Sequence, residues 1–213
     1  MNDESDVGVR VAALCLDRKG RLSERLLCST AVRAGLLVDL ALAGRLVEVD
    51  DGIELDDSPT GRLPTDLLLR EITARPGTTL DTWLERRHPG LRDLAEDAVR
   101  TGRWRVGRGL HAGLRFTDER AEQTAVDRAR DPDAGTEGWS PVDAAVTAIA
   151  LTAGLLSRPG PAEQPREELL TASGAQRWLV TAVTEHLAWA RERDAVTASL
   201  TRSSLNAGYV GGL

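Results

Sequence analysis

The stretch VRAGLLVDLALAGRLVEVDDG, residues 32–52, contains the two patterns that decide the fold. Its first half is apolar on nearly every face of a helix, and a helix of that kind is buried. Ser29 or Thr30 can cap the start of this helix, and Gly44 predicts its end. Arg33 stands among these apolar residues. We therefore predict a buried helix that carries a cation in need of an explanation.

The period of the pattern changes after Gly44. Residues 45–57, RLVEVDDGIELDD, alternate apolar and polar side chains around Asp51-Gly52. An Asp-Gly pair between alternating runs is a strong hairpin signal. We predict a β-hairpin whose inward-facing apolar side chains are Val47, Val49, Ile53 and Leu55.

The rest of the chain is predominantly helical in pattern. We predict helices over residues 65–74, 80–87, 91–100, 141–156 and 166–195, and a second hairpin or a loop in residues 102–116. No internal repeat and no shift in composition divides the chain. The fold class we expect is mainly α, a single globular helical domain over residues 8–196 with one or two β-hairpins. A flexible N-terminus (1–7) and a disordered tail (197–213) should flank it.

The composition argues against several classes of function. Cys15 and Cys28 are too few and too far apart for a metal knuckle or a disulfide framework, so we expect buried thiols and no metal site. The three histidines form no catalytic or metal-binding motif, and no nucleotide-binding glycine loop is present, so we expect neither an enzyme nor a cofactor. The net charge of −6, from 27 basic and 33 acidic residues, argues against nucleic-acid binding by bulk charge.

The N-terminal segment MNDESDVG is acidic and polar, which is the opposite of a secretory signal. The longest apolar runs are shorter than the roughly 20 residues that a membrane-spanning helix needs. We expect a cytoplasmic protein whose contact with membranes, at the inner face, is peripheral. The strong preference for arginine over lysine is typical of a GC-rich bacterial genome.

Charge is distributed unevenly along the chain. Eight arginines and three carboxylates lie between residues 86 and 115, whereas residues 48–57 carry six carboxylates and no base. A cationic patch on an acidic protein suggests a specific anionic partner. The alternative is that the two runs neutralise each other across the fold or lie solvated on helix surfaces.

Arg33 lies in the first turn of its helix if Ser29 or Thr30 is the cap, and there the helix dipole opposes a cation. A negative group should then compensate for it. Glu24 or Glu48 can supply an internal carboxylate. A bound phosphate is the other candidate, because exposed N–H groups and an arginine fork suit phosphate oxygens.

The segment GRWRVGRGLHAGLRF interleaves large apolar residues with arginines. This mixture lets a loop insert apolar groups into a membrane interface while its arginines meet anionic lipid. The same alternation describes an ordinary hairpin with one buried and one solvated face. The candidate membrane-contact residues are Trp104, Val106, Leu110, Leu114 and Phe116.

Four segments in order, GRLSERLLCSTAVRAGLLVDLALAGRLVEVDDG, SPTGRLPTD, LDTWLERR and DLAEDAVRTG, resemble the Golgi phosphoprotein 3 family, including its bacterial members. The resemblance covers about Leu14 to Phe116 and is thinner from there to Ala195. Its most specific part is LVDLALAGRL followed by the hairpin and the SPTG turn, with Asp66 beyond. The resemblance implies a single, mainly helical domain with a hairpin that can mediate self-association.

The resemblance also implies a function and a site. Eukaryotic members are cytosolic peripheral membrane proteins that bind phosphatidylinositol 4-phosphate at the Golgi and retain glycosyltransferases by their cytoplasmic tails. Arg33 falls on a headgroup arginine of the family. A tryptophan of that pocket falls on Glu24, which removes a stacking surface and adds a charge that repels phosphate. Two further family arginines fall near His88 and Leu91, with Arg92 next to the second position.

We thus expect a headgroup site at Arg33, His88 and Arg92, beside a membrane-contact loop in residues 104–116. The leading hypothesis is non-enzymatic binding of an anionic phospholipid headgroup, similar to phosphatidylinositol 4-phosphate, at a membrane surface. A second hypothesis is a scaffold that has lost lipid binding and associates with itself or with basic protein tails. A third is a winged-helix DNA-binding regulator, which the apolar would-be recognition helix and the acidic would-be wing argue against.

Overall fold

The computed structural model describes residues 6–23, 26–50, 52–86, 88–108, 114–156, 165 and 167–207, and side chains as far as residue 197. Its elements within these ranges confirm the expected mainly α fold with two hairpins. None of these helices is both long enough and apolar enough to cross a membrane. The elements are α1 (Val7–Leu14), α2 (Leu26–Leu42), β1 (Leu46–Val49), β2 (Gly52–Leu55), α3 (Leu63–Thr73), α4 (Leu80–Glu85), α5 (Leu91–Arg100), β3 (Trp104–Arg108), β4 (Leu114–Asp118), α6 (Ala121–Ala129), α7 (Pro141–Thr152), α8 (Glu167–Ala172) and α9 (Arg177–Ala207).

Helix α2 is the centre of the fold and packs against α1, α3, α4, α5, α7 and α9. Every residue from Thr30 to Ala41 is buried, as its all-round apolar pattern predicts. The helix ends at Leu42, just before the predicted stop at Gly44, where φ is +69°. The Arg45 N–H donates to the Leu40 carbonyl at 2.8 Å, a bond that closes this type of helix end.

The predicted start of α2 is wrong. The helix begins at Leu26, so neither Ser29 nor Thr30 caps it. The Thr30 hydroxyl instead donates to the Leu26 carbonyl one turn earlier in the same helix, at 3.3 Å. Such a bond competes with capping, because it occupies the hydroxyl inside the helix.

Helix α1 is fixed to α2 by a buried carboxylate. The backbone N–H groups of Val7 and Gly8 donate to the two carboxylate oxygens of Asp39, at 2.8 and 3.0 Å. Asp39 thereby satisfies the free N–H groups at the start of α1 from a different helix. Asp6 and Val7 are buried, so the predicted flexible N-terminus (1–7) does not extend to them, and residues 1–5 lie outside the described part.

A charged cluster joins α1, α6 and α7. The Arg10 guanidinium donates to Asp127 at 2.9 Å through Nε and to Asp143 at 2.7 Å through Nη2. Arg130 adds a second contact to Asp143 at 2.8 Å. Helix α6 has no strong apolar pattern and was not predicted, because this cluster rather than local periodicity holds it on the fold.

The end of the chain also differs from the prediction. The single helix expected over residues 166–195 is broken into α8, a 3₁₀ turn at Gly174–Gln176 and α9. Gly174, with φ at +62°, allows the break. Helix α9 continues to Ala207, so the segment expected to be a disordered tail (197–213) is helical that far, and residues 208–213 lie outside the described part.

Candidate functional site

Arg33 lies two turns inside α2, not in its first turn. The dipole argument for a compensating anion was therefore wrong, because the effect of a helix dipole on a charge is confined to the terminal turn. Burial, rather than the helix dipole, is the reason to expect an anion near Arg33. The arginine is completely buried, at 0% exposure, in a helix that is surrounded by neighbours.

The Arg33 guanidinium has no hydrogen-bond acceptor among the residues that the structure describes. Its Nε, Nη1 and Nη2 atoms are all buried and all lack a partner there. Burial lowers the pKa of Arg33 to about 10, and the charges of Glu71 and Asp93 partly oppose this decrease. A buried charged group without hydrogen bonds is strongly unfavourable, so this side chain is suited to bind an anion.

The carboxylates that act on Arg33 come from two other helices, Glu71 from α3 and Asp93 from α5. These are not the two that the sequence suggested. Glu48 is exposed on β1, and Glu24 lies outside the described residues. Because both carboxylates reach Arg33 only through tertiary packing, no local sequence signal could have identified them.

Asp93, whose charge acts on Arg33, contacts His88 at the protein surface. One of its oxygens, Oδ2, accepts the Gly90 N–H at 2.7 Å and lies 3.1 Å from Nδ1 of His88. The His88 side chain is 74% exposed. Two of the predicted site residues are thus related to one carboxylate: His88 contacts Asp93, and the charge of Asp93 acts on Arg33.

Arg92, the third predicted site residue, does not take part in the contacts around Asp93. It is exposed on α5, and within the described part of the chain it makes no ion pair. Arg86 is a cation that the prediction missed. Its Nη1 lies 3.9 Å from Oε2 of Glu71, and its guanidinium lies 4.7 Å from the centre of the Trp83 ring. The only sequence signal for Arg86 was its position at the start of the arginine-rich run.

The second hairpin is half buried. Trp104 and Phe116 are 1% and 9% exposed and pack against each other at a ring distance of 5.8 Å, so their predicted role in membrane contact is wrong. Trp104 lies at the base of the hairpin. Val106, directly opposite Phe116 on the same face, and Leu114, at the outer end of β4, are 47% and 59% exposed. The remaining predicted residue, Leu110, lies outside the described residues.

In the first hairpin, the four apolar side chains that were predicted to face inward do not lie on one face. Antiparallel pairing puts Val47 opposite Glu54 and Leu46 opposite Leu55, and directly opposed residues share a face. Val47 and Val49 therefore lie on one face, and Ile53 and Leu55 lie on the other. Leu55 packs against the core, beside the buried Leu46, whereas Val47, Val49 and Ile53 are exposed.

A family model described as Golgi phosphoprotein 3 (GPP34) matches residues 11–203. The chain belongs to the Golgi phosphoprotein 3 family. Among curated proteins, no similar relative was found. The Golgi phosphoprotein 3 match contains Arg33, His88, Arg92 and both hairpins, and it extends over the C-terminal helices, where the resemblance in sequence is thinner.

The Golgi phosphoprotein 3 fold also fixes the SPTG turn that carries part of the resemblance. Asp66 in α3 accepts hydrogen bonds from the Thr60 N–H and hydroxyl, both at 2.6 Å, and from the Gly61 N–H at 3.2 Å.

Among the described residues, no group of three or more histidine, cysteine or acidic side chains is arranged to hold a metal ion.

Proposed function

We propose that this chain binds the phosphate of an anionic lipid headgroup, similar to phosphatidylinositol 4-phosphate, at Arg33 and His88, with Arg92 at the edge of the site. The observation that carries the proposal is the buried Arg33 guanidinium without a hydrogen-bond acceptor among the described residues. The proposal includes no catalytic step, and the absence of enzymatic activity stays a prediction.

The N–H groups of Arg33 lack an acceptor among the described residues. Glu71 and Asp93 act on it through space, which lessens the penalty of burial without giving its N–H groups an acceptor. A phosphate offers several acceptor oxygens, and the guanidinium fork matches them in geometry. His88, held by Asp93 at the surface, can donate to the same phosphate when it is protonated.

The second hairpin supports placement at a membrane. Val106 and Leu114 extend the buried apolar face of Trp104 and Phe116 into solvent, so the outer part of the hairpin offers apolar area to a lipid interface. Residues 102–116 contain four arginines and no carboxylate, and two of these arginines form ion pairs, Arg103 with Asp6 and Arg105 with Glu119. Apolar area combined with positive charge is the usual composition of a surface that binds anionic membranes.

Liposome flotation tests the proposal. The chain should float with vesicles that contain phosphatidylinositol 4-phosphate, and it should not float with phosphatidylcholine alone. Arg33→Met keeps a side chain of similar length and removes the charge, so flotation should decrease at least tenfold while the fold is retained. Replacing a buried charge with an apolar side chain is often neutral or stabilising, so thermal unfolding can confirm retention of the fold.

Two variants on α5 separate the site from general surface charge. Arg92→Ala should weaken flotation by a few fold, whereas Arg100→Ala should have little effect. Arg100 lies at the opposite end of the helix, where it pairs with Asp97 at 2.6 Å. Failure of the unaltered chain to bind any anionic vesicle at about 0.1 M salt, where exposed charges act over roughly 10 Å, would overturn the proposal. So would equal binding by the Arg33→Met variant.

We also propose self-association through the first hairpin, because Val47, Val49 and Ile53 remain exposed on a short two-stranded sheet. Exposed apolar side chains on both faces of a two-stranded sheet offer surfaces for packing against a second copy. Light scattering at two protein concentrations should show a dimer or larger species that Val47→Glu converts to monomer. A monomer at both concentrations would contradict it. The binding of basic protein tails to the acidic segment 48–57 stays a prediction.

A further inference from the structure

A cavity of about 180 Å³ lies where α2, α4 and α9 meet, and we call it the α9 cavity. Leu26, Leu27 and Ala190 contribute apolar side chains to its lining. Its polar lining includes a histidine, two carboxylates and an arginine from α4 and α9. The phosphate site proposed at Arg33 uses none of these residues.

His186 supplies a buried hydrogen-bonding atom in the lining. The residue is 5% exposed, and its Nδ1 lies 2.8 Å from Oδ1 of Asp81 on α4. A carboxylate only accepts, so Nδ1–H is the donor, and in the Nδ1–H tautomer Nε2 is an acceptor. Nε2 is buried and has no partner among the described residues. A buried acceptor without a partner needs a donor.

The charges around the cavity leave a negative excess. Arg193 donates to Glu85 at 3.0 Å, and its guanidinium lies 4.2 Å from the centre of the Trp189 ring. The positive charge of Arg193 is thus already paired. Asp194 also lines the cavity, and no residue in the described ranges forms an ion pair with it.

We propose that the α9 cavity binds a small organic cation, an alkylammonium group on a short apolar stem. The ammonium N–H donates to Nε2 of His186, and Asp194 balances the charge. The stem lies against Leu26, Leu27 and Ala190. A cavity of about 180 Å³ has room for a small amine with a stem of about four carbons.

Calorimetric titration of the full chain with n-butylammonium tests this proposal, with n-butanol and butyrate as probes of matched length. Butylammonium should bind at least tenfold more tightly than either of them. No binding of butylammonium, or equal binding of butylammonium and butanol, would overturn the proposal. Because no lipid is present, the result is independent of the flotation experiments.

Two charge-neutralising variants on α9 give a matched comparison. Asp194→Asn removes a carboxylate that lines the cavity and should weaken butylammonium binding three- to tenfold. Glu192→Gln removes an exposed carboxylate on the same helix outside the lining and should change the affinity less than twofold. Equal effects of the two variants would show that only the general charge of the helix matters and would contradict the proposed site.

A third variant tests the histidine itself. His186→Leu removes the acceptor, and binding of butylammonium should fall at least tenfold while binding of butanol is kept or increased. The opposite response to the two probes distinguishes loss of the acceptor from loss of the fold. If both probes keep their affinities, His186 does not receive the ammonium group and the proposal is wrong.

Discussion

A Cβ atom on Gly35 would lie 2.7 Å from the Cα atom of Gly8, because α2 crosses α1 with the two backbones in contact at these residues. The atoms in the way are backbone, so no side-chain rotation can relieve the contact. Gly35→Ala should therefore separate the two helices and lower the free energy of unfolding by about 1–3 kcal/mol, measured by urea unfolding.

Gly107→Ala is the control for this prediction. A Cβ at residue 107 meets nothing within 4 Å, so this variant should be nearly as stable as the unaltered chain. Equal stability of the Gly35 variant would show that α1 and α2 can move apart without loss.

Asp39 should make stability depend on pH in the neutral range. Burial raises the pKa of this carboxyl from 3.8 to about 8, and its hydrogen bonds from Val7 and Gly8 only partly oppose the rise. The folded state then holds the proton more tightly than the unfolded state, so stability falls as pH rises from about 4 through about 8. Asp39→Asn, which cannot ionise, should remove this slope.

Urea unfolding at pH 5, 7 and 9 measures the slope. The unaltered chain should lose stability relative to the Asp39→Asn variant across this series. Asp57→Asn, at an exposed carboxylate, should leave the slope unchanged. Parallel curves for the unaltered chain and the Asp39 variant would contradict the prediction.

Asp143 should act in the opposite sense at low pH. The hydrogen bonds and positive charges of Arg10 and Arg130, with the Ser140 bond, outweigh the effect of burial and lower its pKa from 3.8 to about 2. A depressed pKa contributes stability above pH 4 that is lost as pH falls through 2. Asp143→Asn should lower the free energy of unfolding at pH 7 by about 1–2 kcal/mol, after allowance for solvent screening.

The difference between Asp143→Asn and the unaltered chain should shrink between pH 4 and pH 2, as followed by urea unfolding. Glu137→Gln changes an exposed carboxylate near the start of the same helix and should have little effect at any of these pH values. A constant difference down to pH 2 would mean that the packing of the residue, not its charge, causes the loss.

Charged substitutions on the two faces of the second hairpin should differ in their effect on flotation. Leu114→Glu places a charge on the exposed apolar face and should reduce flotation with anionic vesicles several fold. Thr117→Glu adds the same charge on the other face, where Thr117 is exposed opposite Arg105, and should reduce flotation much less. Equal losses would show that general repulsion, and not insertion of the apolar face, governs binding.

Local patterns predicted the elements whose signals lie within one segment. Helix α5 has the predicted bounds, Leu91–Arg100, because its apolar and charged residues follow a clear helical period. Gly44 follows the end of α2 where expected, and β1 and β2 form the predicted hairpin, with Gly52 as the first residue of β2 and paired to Val49. Helix α6 was missed because its position depends on Asp127 contacting Arg10, 117 residues away in the chain.

The faces of both hairpins show the limit of such patterns. Alternation indicates that a strand has two different faces, but it does not indicate which part of a face the domain covers. Trp104 and Phe116 are buried and Val106 and Leu114 are exposed, although all four belong to one alternating apolar set. Phe116 and Val106 are directly opposite each other, so burial differs even between paired residues of the two strands.

The sequence by itself determined the fold class, the family and the buried central helix, because periodicity, glycine stops and motif order are properties of contiguous segments. Only the tertiary structure decided the surroundings of the charged residues. The charges of Glu71 and Asp93 act on Arg33, and His186 lies beside Asp81, through helices that are distant along the chain. The physical reason is that burial and electrostatic interaction depend on distances in space, and packing alone sets those distances.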